Sequence, residues 1–319
     1  MPELPEVEIM ARNLDRWLRG GVVEELVIGD EKLRPADDET LLRLSGQRVH
    51  RAWRRAKYAL VELDRDTLVL HFRMTGKVVV RAPDRPARAT IRARGPYAAD
   101  DQARADDQAR ADEQAKAGGQ GHTEDSARAD ERPGGADRAH GGRGRPGGLL
   151  REVHFVDPRR FGTLDIVANG DVEAYLGALG CGPEPWPERH DGAWWRARLA
   201  GLRGPIKPAL MRQERVAGIG NILASETLWR ARVHPARGVG ELGDAEWSAI
   251  AEAFPALIDD VIARESGDEL RYVNDGHDPL DAGFAVYGRA GQPALCCGAD
   301  VQRMVQATRS TFFCPRCQR

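Results

Sequence analysis

The pattern of apolar positions changes twice along the chain, and each change marks a change of element type. Val7, Met10, Leu14, Trp17 and Leu18 recur at helical spacing after Pro5, and Gly20-Gly21 end the run, which predicts an N-terminal helix. From Val22 the apolar residues alternate or fall in short runs. Residues 22–28, 48–53, 59–63, 67–72, 77–80, 149–156 and 163–167 read as β-strands, several of them separated by Gly- or Asp-rich turns. Many short strands predict a sandwich or barrel. After Asp171 helical spacing returns. Residues 221–232 predict one helix, stopped by His234-Pro235; Trp247, Ile250, Phe254, Leu257, Ile258 and Val261 mark another, bent at Pro255. Strand-like segments are expected again at 285–287 and around the last cysteines.

Residues 95–148 interrupt the strand pattern. Residues 99–116 read ADDQAR-ADDQAR-ADEQAK, a tandem six-residue repeat, and Gly, Arg and Asp dominate residues 117–148. Almost no apolar side chain is available for burial, so a disordered insertion is expected. A transient helix with Asp100–Arg104 pairs, or a regulatory arm acting on a partner, are the alternatives.

Composition narrows the class. A chain of 319 residues with 41% hydrophobic residues fits two domains, or two plus a small appendage. No run approaches the roughly 20 apolar residues of a membrane span. The acidic start, Met-Pro-Glu-Leu-Pro-Glu-Val-Glu, resembles no targeting peptide, so a cytoplasmic setting and no membrane partner are expected. Four of five cysteines fall within 296–319, which in a reducing compartment points to metal binding rather than disulfides. The net charge of −2 argues weakly against a nucleic-acid partner. Residues 95–148 alone carry 11 acidic and 8 basic residues, so the remainder is at +1, and residues 288–319 carry five Arg against one Asp. A basic tail on a near-neutral body is compatible with phosphate binding.

Two short segments carry candidate chemistry. If Met1 is removed, Pro2 presents a secondary amine that titrates near pH ~8, so part of it is neutral and nucleophilic at pH 7. The positive end of the following helix disfavours its protonated form. Glu3 supplies a carboxyl for proton transfer. Taken alone, Pro2 and Pro5 read more readily as helix starters. Gly218-Ile-Gly220-Asn221 precedes a predicted helix; glycines let a backbone approach a phosphate, and Asn221 is expected to cap the helix and donate its amide to phosphate.

Residues 2–8 (PELPEVE), Arg55-Ala-Lys57-Tyr58, His71-Phe-Arg-Met74-Thr-Gly76, Asp157-Pro-Arg-Arg-Phe-Gly162, Ile206-Lys-Pro208, Val216-Ala-Gly-Ile-Gly-Asn221, Ala224-Ser-Glu226, Val286-Tyr-Gly-Arg289 and Thr311-Phe-Phe-Cys-Pro-Arg-Cys-Gln318 stand in one order. Together they resemble the formamidopyrimidine-DNA glycosylases, bacterial enzymes that excise oxidised purines. The resemblance covers nearly the whole chain apart from the insertion. Leu4 stands where endonuclease VIII-type relatives typically have Gly, so the purine branch fits better. The resemblance implies an α+β multidomain fold: an N-terminal β-sandwich domain with an N-terminal helix over 2–170, a helical domain with a helix–two-turn–helix over 171–283, and a C-terminal zinc-type β-ribbon over 284–319. It implies a bifunctional glycosylase and lyase acting on double-stranded DNA that contains oxidised bases or abasic sites, as a monomer. Pro2 would attack the sugar C1′, Glu3 would donate a proton, and β,δ-elimination would ensue. Lys57 and Arg309 would contact phosphates and assist elimination. Met74, Arg159 and Phe161 would fill the gap left by a flipped base, and Lys207, Gly220 and Asn221 would lie at the DNA. Alone, Lys57 reads as part of an exposed basic cluster with Arg54 and Arg55, Met74 and Phe161 as packing residues, and Glu226 as either a brace for the Gly-rich turn at 218–220 or a solvated carboxylate.

Some positions depart from the family pattern. The family ribbon has C-x2-C, sixteen residues, C-x2-C; Cys297, Cys314 and Cys317 fit the last three positions, but Ala294 stands at the first and Cys296 sits beside Cys297. Neighbouring side chains point to opposite sides of an extended strand, so either the turn is remodelled to use Cys296 or zinc is bound weakly or not at all; the kept spacing of Cys297, Cys314 and Cys317 favours one zinc ion. Residues 87–92 occupy the place of a His-rich strand start, and 267–283 align poorly with the family's lesion-capping loop. An oxidised-pyrimidine glycosylase, a non-catalytic damaged-DNA binder, and a regulator acting through the insertion are the competing readings.

Overall fold

The computed structural model describes residues 2–33, 36–97, 148–265 and 283–319. Helix α1 (Leu4–Leu18) is the predicted N-terminal helix, with Pro5 in its first turn, where the helix needs no backbone donor. Its stripe of Val7, Met10, Leu14, Trp17 and Leu18 is buried in a core shared with two sheets. One sheet runs β1 (Val22–Ile28), β6 (Ala89–Gly95), β7 (Leu149–Val156), β5 (Lys77–Val79); the other runs β2 (Arg51–Arg55), β3 (Tyr58–Glu62), β4 (Asp66–His71), β8 (Thr163–Ala168). Every pairing is antiparallel. Val23, Leu26, Ile91, Val153 and Phe155 of the first sheet meet Ala59, Val61, Leu68, Leu70 and Leu164 of the second, which makes the expected sandwich.

Strand β6 gives no sign in the apolar periodicity because Ala and Arg dominate it; only the family resemblance marks a strand start at 87–92. Its alternation is nonetheless of period two: Ala89, Ile91 and Ala93 enter the core, while Arg92 and Arg94 point outward to Glu25, Glu152 and Glu24. Gly95 pairs with Leu149, so the inserted segment leaves and re-enters at the same end of a strand pair. Gly95 and Gly148 are thus part of the fold rather than of the insertion, and the disorder expected for the hexapeptide repeat falls on 98–147, outside the described residues.

A short helix α2 (Asp38–Arg43) precedes β2, and helix α3 (Val172–Ala178) packs its Val172 and Leu176 on Leu60, Val69 and Val167 of the second sheet. Helices α4 (Gly192–Leu199), α5 (Ile206–Leu210), α6 (Asn221–Arg230) and α7 (Asp244–Arg264) enclose a separate core around Trp195, Leu228, Trp247 and Phe254. Helix α7 continues through Pro255. Leu4 of α1 is buried in this second core, whereas Val7 onward belong to the first, so the chain start is clamped between the two. Strands β9 (Gln302–Gln306) and β10 (Arg309–Phe313) form the C-terminal hairpin. Ala307 and Thr308 both take positive φ there, as a two-residue hairpin turn requires. Residues 285–287, expected to be strand-like, form a turn instead, because their N–H groups bond a side chain and not another strand.

Candidate active site and nucleic-acid interface

Glu3 is the N-cap residue of α1, and its carboxylate reaches the start of α6. Oε2 accepts from the N–H groups of Gly220 (3.0 Å) and Leu223 (2.9 Å), and Oε1 from that of Ile222 (3.0 Å). A helix start leaves such N–H groups unpaired and carries a partial positive charge, so a carboxylate is a fitting partner. Helix α6 has no cap of its own; Gly220 is its N-cap residue and Glu3, from the other end of the chain, does the work expected of Asn221. A Cβ on Gly220 would lie 2.2 Å from the Glu3 carboxylate, so only glycine permits this approach. Gly218 is constrained differently: its φ of +84° suits glycine, and a Cβ would meet Leu4 at 2.8 Å.

Glu6, not singled out by the sequence reading, closes a capping box by accepting the Glu3 N–H at 2.9 Å. Burial, and then the adjacent Glu3 carboxylate, push its carboxyl up to about 7. Lys57 is 8% exposed and donates to the Ile219 carbonyl at 3.0 Å. Burial pulls its ammonium down, with Arg309 adding to that effect and Glu3 and Glu6 opposing it. The exposed cluster of Arg54, Arg55 and Lys57 does not form. Arg54 is buried between Glu8 and Glu184, Arg55 pairs with Glu184 at 2.9 Å, and the Glu184 carboxylate also accepts the N–H of Ala56, whose φ is +54°. Glu184 therefore fixes the turn that delivers Lys57. Its position in Gly182-Pro-Glu-Pro-Trp186 gives no periodic signal by which it could have been found.

Asn221 donates its amide to the Ser310 carbonyl at 2.9 Å and accepts from the Lys207 ammonium. Lys207 lies beneath this surface at 1% exposure, also bonded to Thr311 Oγ1 (2.9 Å) and the Ser310 carbonyl (3.2 Å); burial lowers its ammonium to about 8. These contacts dock β10 on α6 and set the exposed Arg309 near enough to depress both lysines. Glu226 is neither a brace for the Gly218–Gly220 turn nor a solvated carboxylate: at 2% exposure it accepts from Ala285, Val286 and Tyr287 at 2.8, 2.9 and 2.8 Å and so holds the turn that leads into the ribbon. Burial raises its carboxyl, opposed by those three bonds.

Met74 and Thr75 lie on the turn between β4 and β5, and Arg159 and Phe161 on the turn between β7 and β8. Phe161 is 55% exposed, and the Arg159 guanidinium sits 5.0 Å from its ring centroid. An aromatic side chain left in water beside a stacked cation does not serve the core.

The four ligating atoms of Cys296, Cys297, Cys314 and Cys317 lie within 4.8 Å of one another. The adjacent cysteines converge because residues 294–298 are not extended. Cys297 and Gly298 donate to the Ala294 carbonyl at 3.3 and 2.8 Å, and Gly298 turns the chain with a φ of +71°. Ala294 is 3% exposed in the apolar centre of the ribbon, and Cys296 is brought to the cluster in its place. Trp229 of α6 packs on the cluster, with its indole N–H buried beside the Cys296 thiol.

Family models match three stretches of the chain: the formamidopyrimidine-DNA glycosylase N-terminal domain over residues 1–112, the H2TH domain of the same proteins over 181–270, and a zinc finger found in FPG and IleRS over 297–319. The formamidopyrimidine-DNA glycosylases of Cereibacter sphaeroides (strain ATCC 17025) and Ruegeria pomeroyi are 35% and 32% identical over the whole of both chains. Among solved structures, a Lactococcus lactis Fpg in complex with DNA containing an abasic site superposes with a TM-score of 0.73 at 24% identity, covering 99% of each chain. A complex of the Lactococcus lactis protein with FAPY-dG-containing DNA gives 0.72 at 24%, covering 99% of this chain and all of the other.

Proposed function

The chain belongs to the formamidopyrimidine-DNA glycosylase family, base-excision-repair glycosylases and abasic-site lyases, and on that premise we propose that Pro2 and Glu3 carry its chemistry on duplex DNA containing oxidised purines, chiefly 8-oxoguanine and formamidopyrimidines. The observation that carries the reading is the Glu3 carboxylate, held by three backbone N–H groups one residue from Pro2. With Met1 removed, the Pro2 nitrogen bonds to the sugar C1′ as the bond from C1′ to the base breaks. The Glu3 carboxylate takes the proton that the Pro2 nitrogen releases and gives it to the ring oxygen, the ring opens, and the resulting iminium acidifies the C2′ proton. Loss of that proton expels the 3′ phosphate, and a second elimination expels the 5′ phosphate. Lys57 and Arg309 are the cations assigned to those phosphates. Met74, Arg159 and Phe161 fill the space of the flipped base. Gly220 and Asn221 face the backbone at the start of α6, and Lys207 acts from beneath by holding Asn221.

We place the domain limits at 2–170, 171–283 and 284–319, and read the enzyme as a cytoplasmic monomer; no helix of the described residues is long and apolar enough to cross a membrane. The cysteine cluster suits one zinc ion held by Cys296, Cys297, Cys314 and Cys317, and the buried Trp229 N–H beside Cys296 is the donor a thiolate sulfur attracts. When bound, such an ion cross-links the ribbon and supplies no step of the reaction.

The test is borohydride trapping on a duplex with one 8-oxoguanine opposite cytosine, followed by peptide mapping. An adduct at Pro2 is the expected result. Tight binding with no adduct would overturn the assignment in favour of a damage binder, and faster cleavage of a thymine glycol duplex would overturn the purine preference.

A further inference from the structure

The two turns that carry Met74, Arg159 and Phe161 are joined by a polar network that the chemistry above does not use. Asp157 begins the second turn and is 3% exposed. Its Oδ2 accepts the Gly162 N–H at 2.7 Å; its Oδ1 accepts the Thr75 hydroxyl at 2.6 Å and the Arg159 N–H at 3.3 Å. One carboxylate thus grips both ends of its own turn and reaches across to the other. Thr75 also accepts the Arg159 N–H at 3.4 Å.

Behind Asp157 stands Arg88, in the segment that takes the place of the family's His-rich strand start. It is 4% exposed and turned inward. Its Nη1 donates to the Gly162 carbonyl at 2.5 Å and lies 3.6 Å from Asp157 Oδ2; its Nε donates to Asp30 at 2.8 Å. Asp30, 6% exposed, also receives the guanidinium of Arg160, the residue between Arg159 and Phe161. Arg160 and Arg88 hold the Asp30 carboxyl well below the usual carboxylate range. Arg73 and Arg160 sit on the two turns with φ of +53° and +59°, a conformation that non-glycine residues keep only when their surroundings impose it.

We propose that Arg88, Asp30, Asp157 and Thr75 are positioning residues that couple the two turns, so that Met74, Arg159 and Phe161 enter the DNA as one preassembled unit when a base is flipped. This rests on the reading of those three residues as the gap-filling set. Unstacking a base costs a few kcal/mol, and insertion offsets that cost only when all three side chains arrive in register. Cutting the link should therefore slow flipping without touching Pro2 or Glu3.

Thr75→Val removes the hydroxyl that joins the turns while keeping the shape of the side chain. Three readouts apply to the full-length protein: single-turnover excision of 8-oxoguanine from a duplex; cleavage of a preformed abasic site in single-stranded DNA, where no base has to be flipped; and fluorescence of a cytosine analogue opposite the lesion. The expected result is a tenfold or larger loss of excision with weakened fluorescence change, abasic-site cleavage within about twofold of wild type, and recovery in Thr75→Ser. Arg88→Lys, which keeps the charge but cannot serve Asp30 and Gly162 together, is the second variant, with the same split expected. Unchanged excision in both variants, or equal loss of excision and abasic-site cleavage, overturns the proposal. Phe161→Ala is the control: wild-type excision and fluorescence there would sink the gap-filling reading itself, separately from the coupling.

Discussion

Replacing Gly220 with alanine isolates the contact that positions Glu3. Gly220 has φ −120° and ψ −159°, which alanine adopts without strain, so the substitution acts only through the space its Cβ takes. That Cβ would lie 2.2 Å from the Glu3 Cδ and Oε1, and relief to an ordinary 3.4 Å contact needs a shift of about 1.2 Å. Bonds of 2.9–3.0 Å to Gly220, Ile222 and Leu223 do not survive such a shift. Hydrogen bonds to a charged group contribute roughly 1.5–3 kcal/mol each, but the displaced carboxylate regains some solvent, so a net loss of about 2–4 kcal/mol is expected. Displacement of a reacting group by ~1 Å costs on the order of 100-fold in rate. Single-turnover excision from an 8-oxoguanine duplex and denaturant unfolding measure the two effects. A variant that excises within about threefold of wild type at unchanged stability would refute the claim that the start of α6 positions Glu3.

Glu6 gives a pH test: because its folded-state carboxyl is raised to about 7, its contribution to stability is complete below pH 4.5 and is lost as pH rises through about 7. Glu6→Gln, which keeps an acceptor for the Glu3 N–H, should flatten that loss; identical pH dependence of the unfolding midpoint in both proteins would contradict it. Arg309→Ala should weaken binding of an abasic-site analogue and reduce the salt slope of log K by about 0.9, the value of one phosphate contact, in titrations at several salt concentrations. Cys296→Ser should release zinc to a chelator faster than the parent protein does; equal release rates would exclude Cys296 as a ligand.

The elements with strong period were legible from the sequence, because their pattern is local. The stripe of α1, the alternation of β1, β3, β4 and β7, and the long helix α7 all lie where periodicity places them, to within a few residues at their ends. The order of motifs identified the family as well, and the roles proposed for Pro2, Glu3 and Lys57 follow from it. What escaped was set by contacts between distant segments. Strand β6 has too few large apolar residues to announce itself by period, and its extent is recognisable only from its partners β1 and β7. The turn at 285–287 takes its shape from Glu226, about 60 positions away. The burial of Lys57 and Arg54 depends on Glu184 and on the carbonyl of Ile219, and the capping of α6 on a carboxylate from residue 3. Adjacent cysteines converge because a turn, not a strand, holds them. Sequence by itself determined which residue types stand in which order, and so the family and its chemistry. Only the tertiary structure decided which charged groups are buried against which donors, because that burial is a property of segments brought together and leaves no period along the chain.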